Sequence, residues 1–329
     1  MRAIVVREFG GPEVLRLEET ADPVPGPGEL LVSVAAAGVQ FIETRTRTGL
    51  LQGVSPVAPR ALPWTPGREV AGEVVAVGAG VDDGWLGARV AAQTVDAGGY
   101  ASLALAEAAS AHRLPDTVGF PEAVSLLGTG GTALALIEVA GVGKGDTVLI
   151  ESAAGAVGLL SVQLARAAGA ELVIGLTRGP EKSALVKESG ADVVVDYAHD
   201  DWPELVRAAA PDGVTVVFDA NGGEVGAAAF DLLADRGRFV VFGFSSGAMT
   251  QPDPAVVEAR GITVHSFFGP PTGLRSPGER RRQTGEMIAA VAEGRLRPHV
   301  GRRFPLEQAA AAHEAIAARS TVGKTVLEP

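Results

Sequence analysis

The stretch Asp146-Thr-Val-Leu-Ile-Glu-Ser-Ala-Ala-Gly155-Ala-Val-Gly158-Leu-Leu-Ser-Val-Gln-Leu-Ala-Arg-Ala-Ala-Gly-Ala170 decides the fold. An apolar β run, Val148 to Ile150, enters a turn of small residues and leaves as a helix with apolar positions at Val157, Leu160, Leu164 and Ala168. Small residues at such a turn let backbone amides at a helix start approach a phosphate, whose charge the helix dipole favours. Ala153-x-Gly155-x-x-Gly158 matches the dinucleotide-binding fingerprint, with alanine in place of its first glycine. A glycine-rich turn alone would be weak support. Here a strand precedes it, a helix follows and a second strand–helix unit comes next, which is the context the fingerprint requires. Ala154, Gly155, Ala156, Val157 and Gly158 are therefore the candidate diphosphate cradle.

Outward from this unit, alanine-rich helical patterns alternate with β runs from Gly119 onward: Glu171 to Gly175, Val193 to Val195, Val214 to Asp219 and Arg238 to Phe242. That alternation predicts βαβ units and a doubly wound parallel sheet of the Rossmann type. Before residue 120 the texture differs. Gly/Pro breakers separate short β runs, Ala3 to Val6, Leu30 to Ala37, Val70 to Val77 and Ala88 to Ala92, which predicts a mostly antiparallel β domain. After Gly261 come a β run, Ile262 to Phe268, a helix near Arg280 to Glu293, a helix over Leu306 to Arg319 and a closing strand, Lys324 to Leu327. The closing strand needs a sheet to join, so the tail is expected to return to the first domain. The expected division is α/β overall, with residues 1–122 and 264–329 in one domain and the parallel-sheet domain over 123–263.

Composition excludes several classes. The 329 residues contain no cysteine, which removes disulfide scaffolds and cysteine-ligated zinc. A formal net charge of −11 opposes attraction to nucleic acid or anionic lipid, so neither is an expected partner. Four lysines stand against 24 arginines, which points to a GC-rich coding bias and not to a basic patch. The N-terminus lacks the apolar core of a signal peptide, and no uncharged stretch reaches the roughly 18 residues of a membrane span. A soluble, cytoplasmic protein is expected.

In an NAD-binding unit the second strand would end on an acidic residue that takes the ribose diol. This strand runs instead into Gly175-Leu-Thr177-Arg178-Gly-Pro-Glu-Lys182. A hydroxyl, a guanidinium and an ammonium suit a 2′-phosphate, so NADPH is the expected cofactor. Arg178 and Lys182 also fit ordinary solvated loop positions. Tyr197 either stacks beside the adenosine end or caps the third strand.

With these residues in hand the chain resembles the medium-chain dehydrogenase/reductase superfamily, in its zinc-free NADPH:quinone oxidoreductase branch. The resemblance is carried by Phe9-Gly-Gly-Pro-Glu-Val-Leu15, Gly67-x-Glu69 with Gly72, Gly98-Gly-Tyr100-Ala101, the Ala153 to Gly158 turn, Phe242-Gly-Phe-Ser245-Ser-Gly247 and Gly323-Lys-Thr-Val-Leu327. It implies a GroES-like β domain carrying the substrate site, a Rossmann domain and a homodimer. Zinc-dependent relatives place a histidine between the glycine and glutamate of Gly67-x-Glu69, where this chain has Arg68. The five histidines are scattered, with no HxxH or HxxxH pair, so no metal site is expected.

The resemblance also implies the reacting site. The branch carries Asn-x-x-Asp followed by Tyr on a helix of the first domain, and this chain reads Gln40-Phe41-Ile-Glu43-Thr-Arg45. Gln40 and Arg45 are the candidate donors to a substrate oxyanion, with Glu43 fixing one of them in place. Glu43 and Arg47, at i,i+4, would equally suit a helix-surface ion pair. Thr132, Phe242 and Ser245 are implied to flank the nicotinamide, with Asn221 on the same side. Capping for Thr132, core packing for Phe242 and a turn for Asn221 remain open. Phe41, Phe267 and Phe268 are candidates to wall the substrate cleft, although an aromatic pair after a β run also fits a core.

The expected reaction is hydride transfer from NADPH to a quinone or an α,β-unsaturated carbonyl, the protein supplying orientation and oxyanion stabilisation. Two rivals stand beside it: an enoyl reductase tailoring a secondary metabolite, and an NADPH-binding regulatory or structural protein that has lost turnover through the altered site.

Overall fold

The computed structural model describes residues 1–53, 59, 61–268 and 276–329. The chain divides into two compact units, Met1–Gly128 with Thr284–Pro329, and Thr129–Gln283. The second division falls later than the sequence suggests because Thr263–Ser266 does not join the first sheet. It pairs in parallel with Leu233–Val241, Val240 opposite His265, and so belongs to the second unit. The first division lies at Gly128/Thr129, inside a π-helical turn, Leu126–Gly130, between the helices Phe120–Val124 and Gly131–Ala140.

In the first unit, strands run in the order Val300–Pro305, Lys324–Glu328, Glu29–Val39, Glu69–Val77, Arg89–Gln93 and His112–Arg113, with Leu103–Glu107 also on Glu29–Val39. All pairings are antiparallel except the first, Val300–Pro305 on Lys324–Glu328. The expected return of the tail is observed: Leu327 pairs with Ala37 and Thr325 with Val39. Val300–Pro305 was not foreseen, since its two adjacent arginines and flanking glycine and proline mask the alternation a strand should show. The helices Phe41–Arg47, Phe120–Val124 and Ala309–Ala317 lie in this unit, with the end of Pro277–Ala292, and Ala309, Ala312 and Ala315 pack into a core with Val39, Tyr100, Phe304 and Leu327.

The second unit is a six-stranded, all-parallel sheet in the order Val193–Asp196, Leu172–Thr177, Thr147–Ile150, Val214–Asp219, Leu233–Val241, Thr263–Ser266. In chain order that is 3-2-1-4-5-6, the doubly wound arrangement. One face packs Leu159, Val162 and Ala165 of the helix Ala156–Ala167, with Leu136 and Ala140 of Gly131–Ala140, onto Val148, Ile150 and Phe218. The other packs Trp202, Val206, Ala229 and Phe230 onto Leu149, Ile174, Val217 and Phe239. Helices on both faces make the strands apolar on both sides, which is why they read as continuous apolar runs. The order reverses between Thr147–Ile150 and Val214–Asp219, and a ligand is expected at the carboxyl ends of those two strands. No described helix is long and apolar enough to cross a membrane.

Candidate functional site

In the second unit, Thr147–Ile150 leads through residues 151–155 into the helix Ala156–Ala167. Gly158 sits where a Cβ would lie 2.5 Å from Ser152 O and 2.6 Å from Ala153 Cα, so only glycine lets the first helical turn close on the loop. Alanine at the first fingerprint position has a physical explanation in the next strand. Gly175 faces it, and a Cβ there would fall 3.0 Å from the Ala153 methyl. The methyl gained at Ala153 occupies the space left at Gly175. Gly155, Ala156 and Val157 are half-buried at the helix start, while Ala154 and Gly158 are buried. The amides of a first helical turn have no partner within the helix and are available to an anion.

Three polar side chains meet at the strand-order reversal. Asn221 Oδ1 accepts the Ser152 hydroxyl at 2.6 Å and the Ser245 hydroxyl at 2.9 Å. Its Nδ2 is buried with no partner among the described residues. Below them, Glu151 Oε2 accepts the amides of Ala220 at 3.1 Å and Asn221 at 2.8 Å, and Asp219 Oδ1 accepts that of Gly222 at 2.7 Å. Burial, and then the neighbouring Asp219, push the Glu151 carboxyl well above the ordinary carboxylate range. Glu151 and Ser152 escaped the sequence reading. The one available signal was a glutamate following a buried apolar strand, where a charge needs a reason.

At the end of Leu172–Thr177, Thr177 is buried and Arg178 is exposed, its guanidinium 4.5 Å above the Tyr197 ring. Tyr197 thus stacks with arginine and also packs on the core. The nearby acid, Asp196, is turned away from a ribose-binding role. It accepts the amides of Ala198 at 2.9 Å and Gly179 at 2.8 Å, and these hold its carboxyl below the usual range. Lys182 lies half-buried in the helix Pro180–Glu188.

The helix Gly131–Ala140 is capped by Gly130, so Thr132 is a first-turn residue and not the cap. Phe242 and Phe267 pack against one core of the second unit and Phe268 against the other, Phe268 also meeting Phe244 edge-on at 5.4 Å. Both rings of the pair are half-buried, each packing on a core with part of its surface exposed.

In the first unit, Gln40 precedes the helix Phe41–Arg47 and is half-buried. The Gln40 amide donates to Glu43 Oε2 at 2.8 Å, closing the helix start. A Cβ at Gly128 would fall 3.0 Å from Gln40 Nε2 and 2.3 Å from Glu69 Oε1, which brings these groups together. Arg45 is half-buried, 5.4 Å from the Phe41 ring. The surface ion pair between Glu43 and Arg47 does not form, because both side chains are buried, at 2% and 4% exposure. Glu43 Oε2 instead accepts the Tyr100 hydroxyl at 2.7 Å, and Tyr100 Oη lies 3.1 Å from His313 Nε2. Burial dominates here. It raises Glu43 to about 7 and lowers His313 to about 3, with the Arg47 charge adding to the second effect. His313 was read as one scattered histidine, because nothing in its alanine-rich surroundings marks a partner 213 residues away.

Glu69, beside Arg68, pairs with Lys324 at 2.6 Å in the core and accepts the Gly128 amide at 2.7 Å. Among the described residues no three His, Cys, Asp or Glu side chains cluster as metal ligands. The donor set does not fit a zinc ion at this position.

A doubly wound sheet bearing a small-residue turn, joined in one chain to an antiparallel β unit with a buried polar cluster, defines a two-domain dinucleotide-dependent dehydrogenase. The model of the alcohol dehydrogenase GroES-like domain matches residues 26–137, and that of the zinc-binding dehydrogenase family matches residues 189–327. A quinone oxidoreductase of Pseudomonas aeruginosa is 36% identical over 98% of this chain and 97% of its own. Mycobacterial Rv1454c, solved in complex with NADPH, is 38% identical with a TM-score of 0.89, and both chains are covered fully. Escherichia coli quinone oxidoreductase, also solved with NADPH, is 30% identical with a TM-score of 0.89 over the full length of both chains. The chain belongs to the medium-chain dehydrogenase/reductase superfamily, in its quinone oxidoreductase branch.

Proposed function

We propose that the protein is an NADPH-dependent reductase that delivers hydride to a quinone or an α,β-unsaturated carbonyl without zinc. The observation that carries this reading is the turn at Ser152 to Gly158 with Asn221 at its edge, whose buried Nδ2 has no partner among the described residues. NADPH, when bound, supplies the hydride. Ala154 to Gly158 hold its diphosphate through backbone amides, and the absence of an acid at the end of Leu172–Thr177 leaves Thr177, Arg178 and Lys182 to take the 2′-phosphate. Asn221, Ser245, Thr132 and Phe242 orient the nicotinamide side, and Tyr197 with Arg178 serves the adenosine end.

Gln40 and Arg45 donate hydrogen bonds to the substrate oxygen as it gains charge. Glu43 positions Gln40 through its backbone amide and does not touch substrate. Phe41 is the cleft aromatic on the same helix. Zinc independence is supported by the absence of cysteine from the sequence and by the engagement of Glu69 with Lys324 and Gly128. A cytoplasmic homodimer is part of the same proposal. Its contact is the strand Thr263–Ser266, which ends the parallel sheet and exposes Val264.

The test is NADPH oxidation, followed at its nicotinamide absorbance, against a panel of quinones and enones in metal-free buffer. Turnover that survives exhaustive chelation is expected. NADPH binding without oxidation of any acceptor would favour the regulatory alternative, and activity confined to bulky enones would favour the tailoring reductase.

A further inference from the structure

Three half-buried arginines of this protein each hold an aspartate and a backbone carbonyl: Arg89 reaches Asp116 and Pro115 O, Arg238 reaches Asp146 and Ala140 O, and Arg260 reaches Asp235 and Leu233 O. Arg45 and Arg68 are half-buried too, yet among the described residues neither guanidinium makes an ion pair or a hydrogen bond. The residues not described, 54–58, 60 and 269–275, contain no aspartate or glutamate, so no acid of the chain pairs with either charge. The chain carries 39 acidic residues to 28 basic ones and still leaves these two cations without one. We propose that Arg45 and Arg68 form a carboxylate-binding site beside Gln40, so that the acceptor reduced is an enone or quinone bearing a carboxylate. This names the substrate class of the reductase reading above and rests on it.

Two segments bring these arginines to Gln40. Arg45 lies on the helix that Gln40 opens, and its neighbours one turn away, Phe41, Ile42, Thr48 and Gly49, are not acidic, so the helix offers it no ion pair. Its guanidinium sits 5.4 Å from the Phe41 ring centroid, the arrangement that Arg178 shows on Tyr197 at the end assigned to the 2′-phosphate. Stacking on a ring holds the guanidinium plane and leaves its edge of N–H donors available. Arg68 immediately precedes the strand Glu69–Val77. That strand pairs Val70 with Ala37, and a Cβ at Gly38 would fall 2.7 Å from Glu69 Oε2, so Arg68 comes alongside the chain as it enters Gln40. Glu69 Oε1 and Gln40 Nε2 then converge on Gly128.

The acids nearest in sequence are engaged elsewhere. Glu69 binds Lys324 at 2.6 Å and the Gly128 amide at 2.7 Å, and Glu43 is buried against the Tyr100 hydroxyl at 2.7 Å. Taking a guanidinium partly out of water costs free energy that an opposite charge recovers, and a neutral quinone would leave both arginines uncompensated. The planar fork of N–H groups matches the two oxygens of a carboxylate. With five donors, Arg45 can meet the substrate oxygen and share the carboxylate with Arg68.

The test compares a cyclohexenone bearing a propanoate side chain with the methyl ester of the same compound, which differs in charge and hardly at the reacting carbons. The full-length protein with NADPH is expected to prefer the acid by at least about tenfold in kcat/KM, the worth of a hydrogen bond to a charged group. The preference should shrink as sodium chloride is raised. Arg45→Gln and Arg68→Gln should each abolish it, whereas general damage to the fold would slow both compounds and leave their ratio standing. Equal rates on acid and ester in the wild type, or a preference that survives either substitution, overturn the proposal. If neither compound nor any other acceptor is reduced, the reductase reading falls, and calorimetry with the unreactive cyclohexanone propanoate decides the anion site. Binding tighter than that of its methyl ester, and lost in both variants, upholds the site, while equal binding of acid and ester overturns it.

Discussion

Ser152 and Asn221, 69 residues apart, are joined by a 2.6 Å hydrogen bond across the point where the strand order of the parallel sheet reverses. The bond, with that from Ser245, fixes the Asn221 amide so that its oxygen faces two hydroxyls and its nitrogen faces away from them. A preset, unpaired donor contributes to binding without the entropy cost of being oriented.

Asn221→Ala removes that donor and leaves the Ser152 and Ser245 hydroxyls without their shared acceptor. The loss of one hydrogen bond made in a buried place corresponds to about 1–3 kcal/mol, so NADPH affinity should drop on the order of tenfold or more. Fluorescence titration of the reduced cofactor measures it, with a thermal melt to show that the fold survives. Affinity equal to wild type would take Asn221 out of the site.

Arg178→Ala should separate the two pyridine dinucleotides. The guanidinium stacked 4.5 Å over Tyr197 is held on one plane, which prepares it to meet a phosphate. The specificity constant for NADPH is expected to fall roughly tenfold, the loss of one exposed charge-assisted hydrogen bond, while that for NADH stays level. Equal losses for both cofactors would mean that Arg178 serves the adenosine ring and not the 2′-phosphate.

The parts of this site that the sequence discloses are those set by backbone. Gly155, Gly158 and the strand–turn–helix around them follow a short local pattern, and five of the six parallel strands read as apolar runs, while the sixth, the exposed edge strand Thr263–Ser266, is assigned by the sequence to the other domain. What stayed hidden is polar and long-range. Glu151 meets Ala220 and Asn221, and Tyr100 meets Glu43 and His313, through pairings between segments that carry no mutual mark in the chain. The surface ion pair offered for Glu43 and Arg47 came from helical spacing and failed, since i,i+4 spacing says two residues share a face and not whether that face is buried.

Gly158→Val should be the most damaging change in the cradle. Its Cβ would sit 2.5 Å from Ser152 O, a contact with backbone that no rotamer relieves. Overpacking of this kind costs about 1–3 kcal/mol, so the melting temperature should drop by several degrees and cofactor binding should be lost. Chemical denaturation and the same fluorescence titration check both parts. Retained binding would show that the helix start does not form the diphosphate site.

Glu151→Gln and Glu151→Ala should part company. Because burial and Asp219 favour the protonated form of Glu151, a glutamine of the same shape keeps an oxygen for the Ala220 and Asn221 amides and should bind NADPH nearly as well as wild type. Alanine strands two buried amides, at about 1–3 kcal/mol for each group left unsatisfied. A large loss in stability and affinity with Glu151→Ala, beside a small one with Glu151→Gln, is the expected result. Equal damage from both would show that the negative charge itself is required.

Stability should depend on pH with a sign that follows from two shifts in the first unit. Glu43 rises from 4.5 to about 7, so the folded state holds a proton that the unfolded state gives up between those values. Folding is then favoured below pH 4.5 and progressively penalised up to about pH 7, by about 3 kcal/mol at most. His313 falls from 6.5 to about 3, so the unfolded state takes up a proton that the folded state refuses. Its contribution is full above pH 6.5 and is lost as the pH falls toward 3. The Glu43→Gln variant should therefore gain stability relative to wild type as the pH is raised from 5 to 8, and His313→Asn should gain as it is lowered from 7 to 4. Urea unfolding across both ranges measures the differences. A Glu43→Gln difference that stays constant from pH 5 to 8 would show that the carboxyl is ionised in the folded protein throughout, stabilised by Tyr100 and Lys324 beyond what burial takes away.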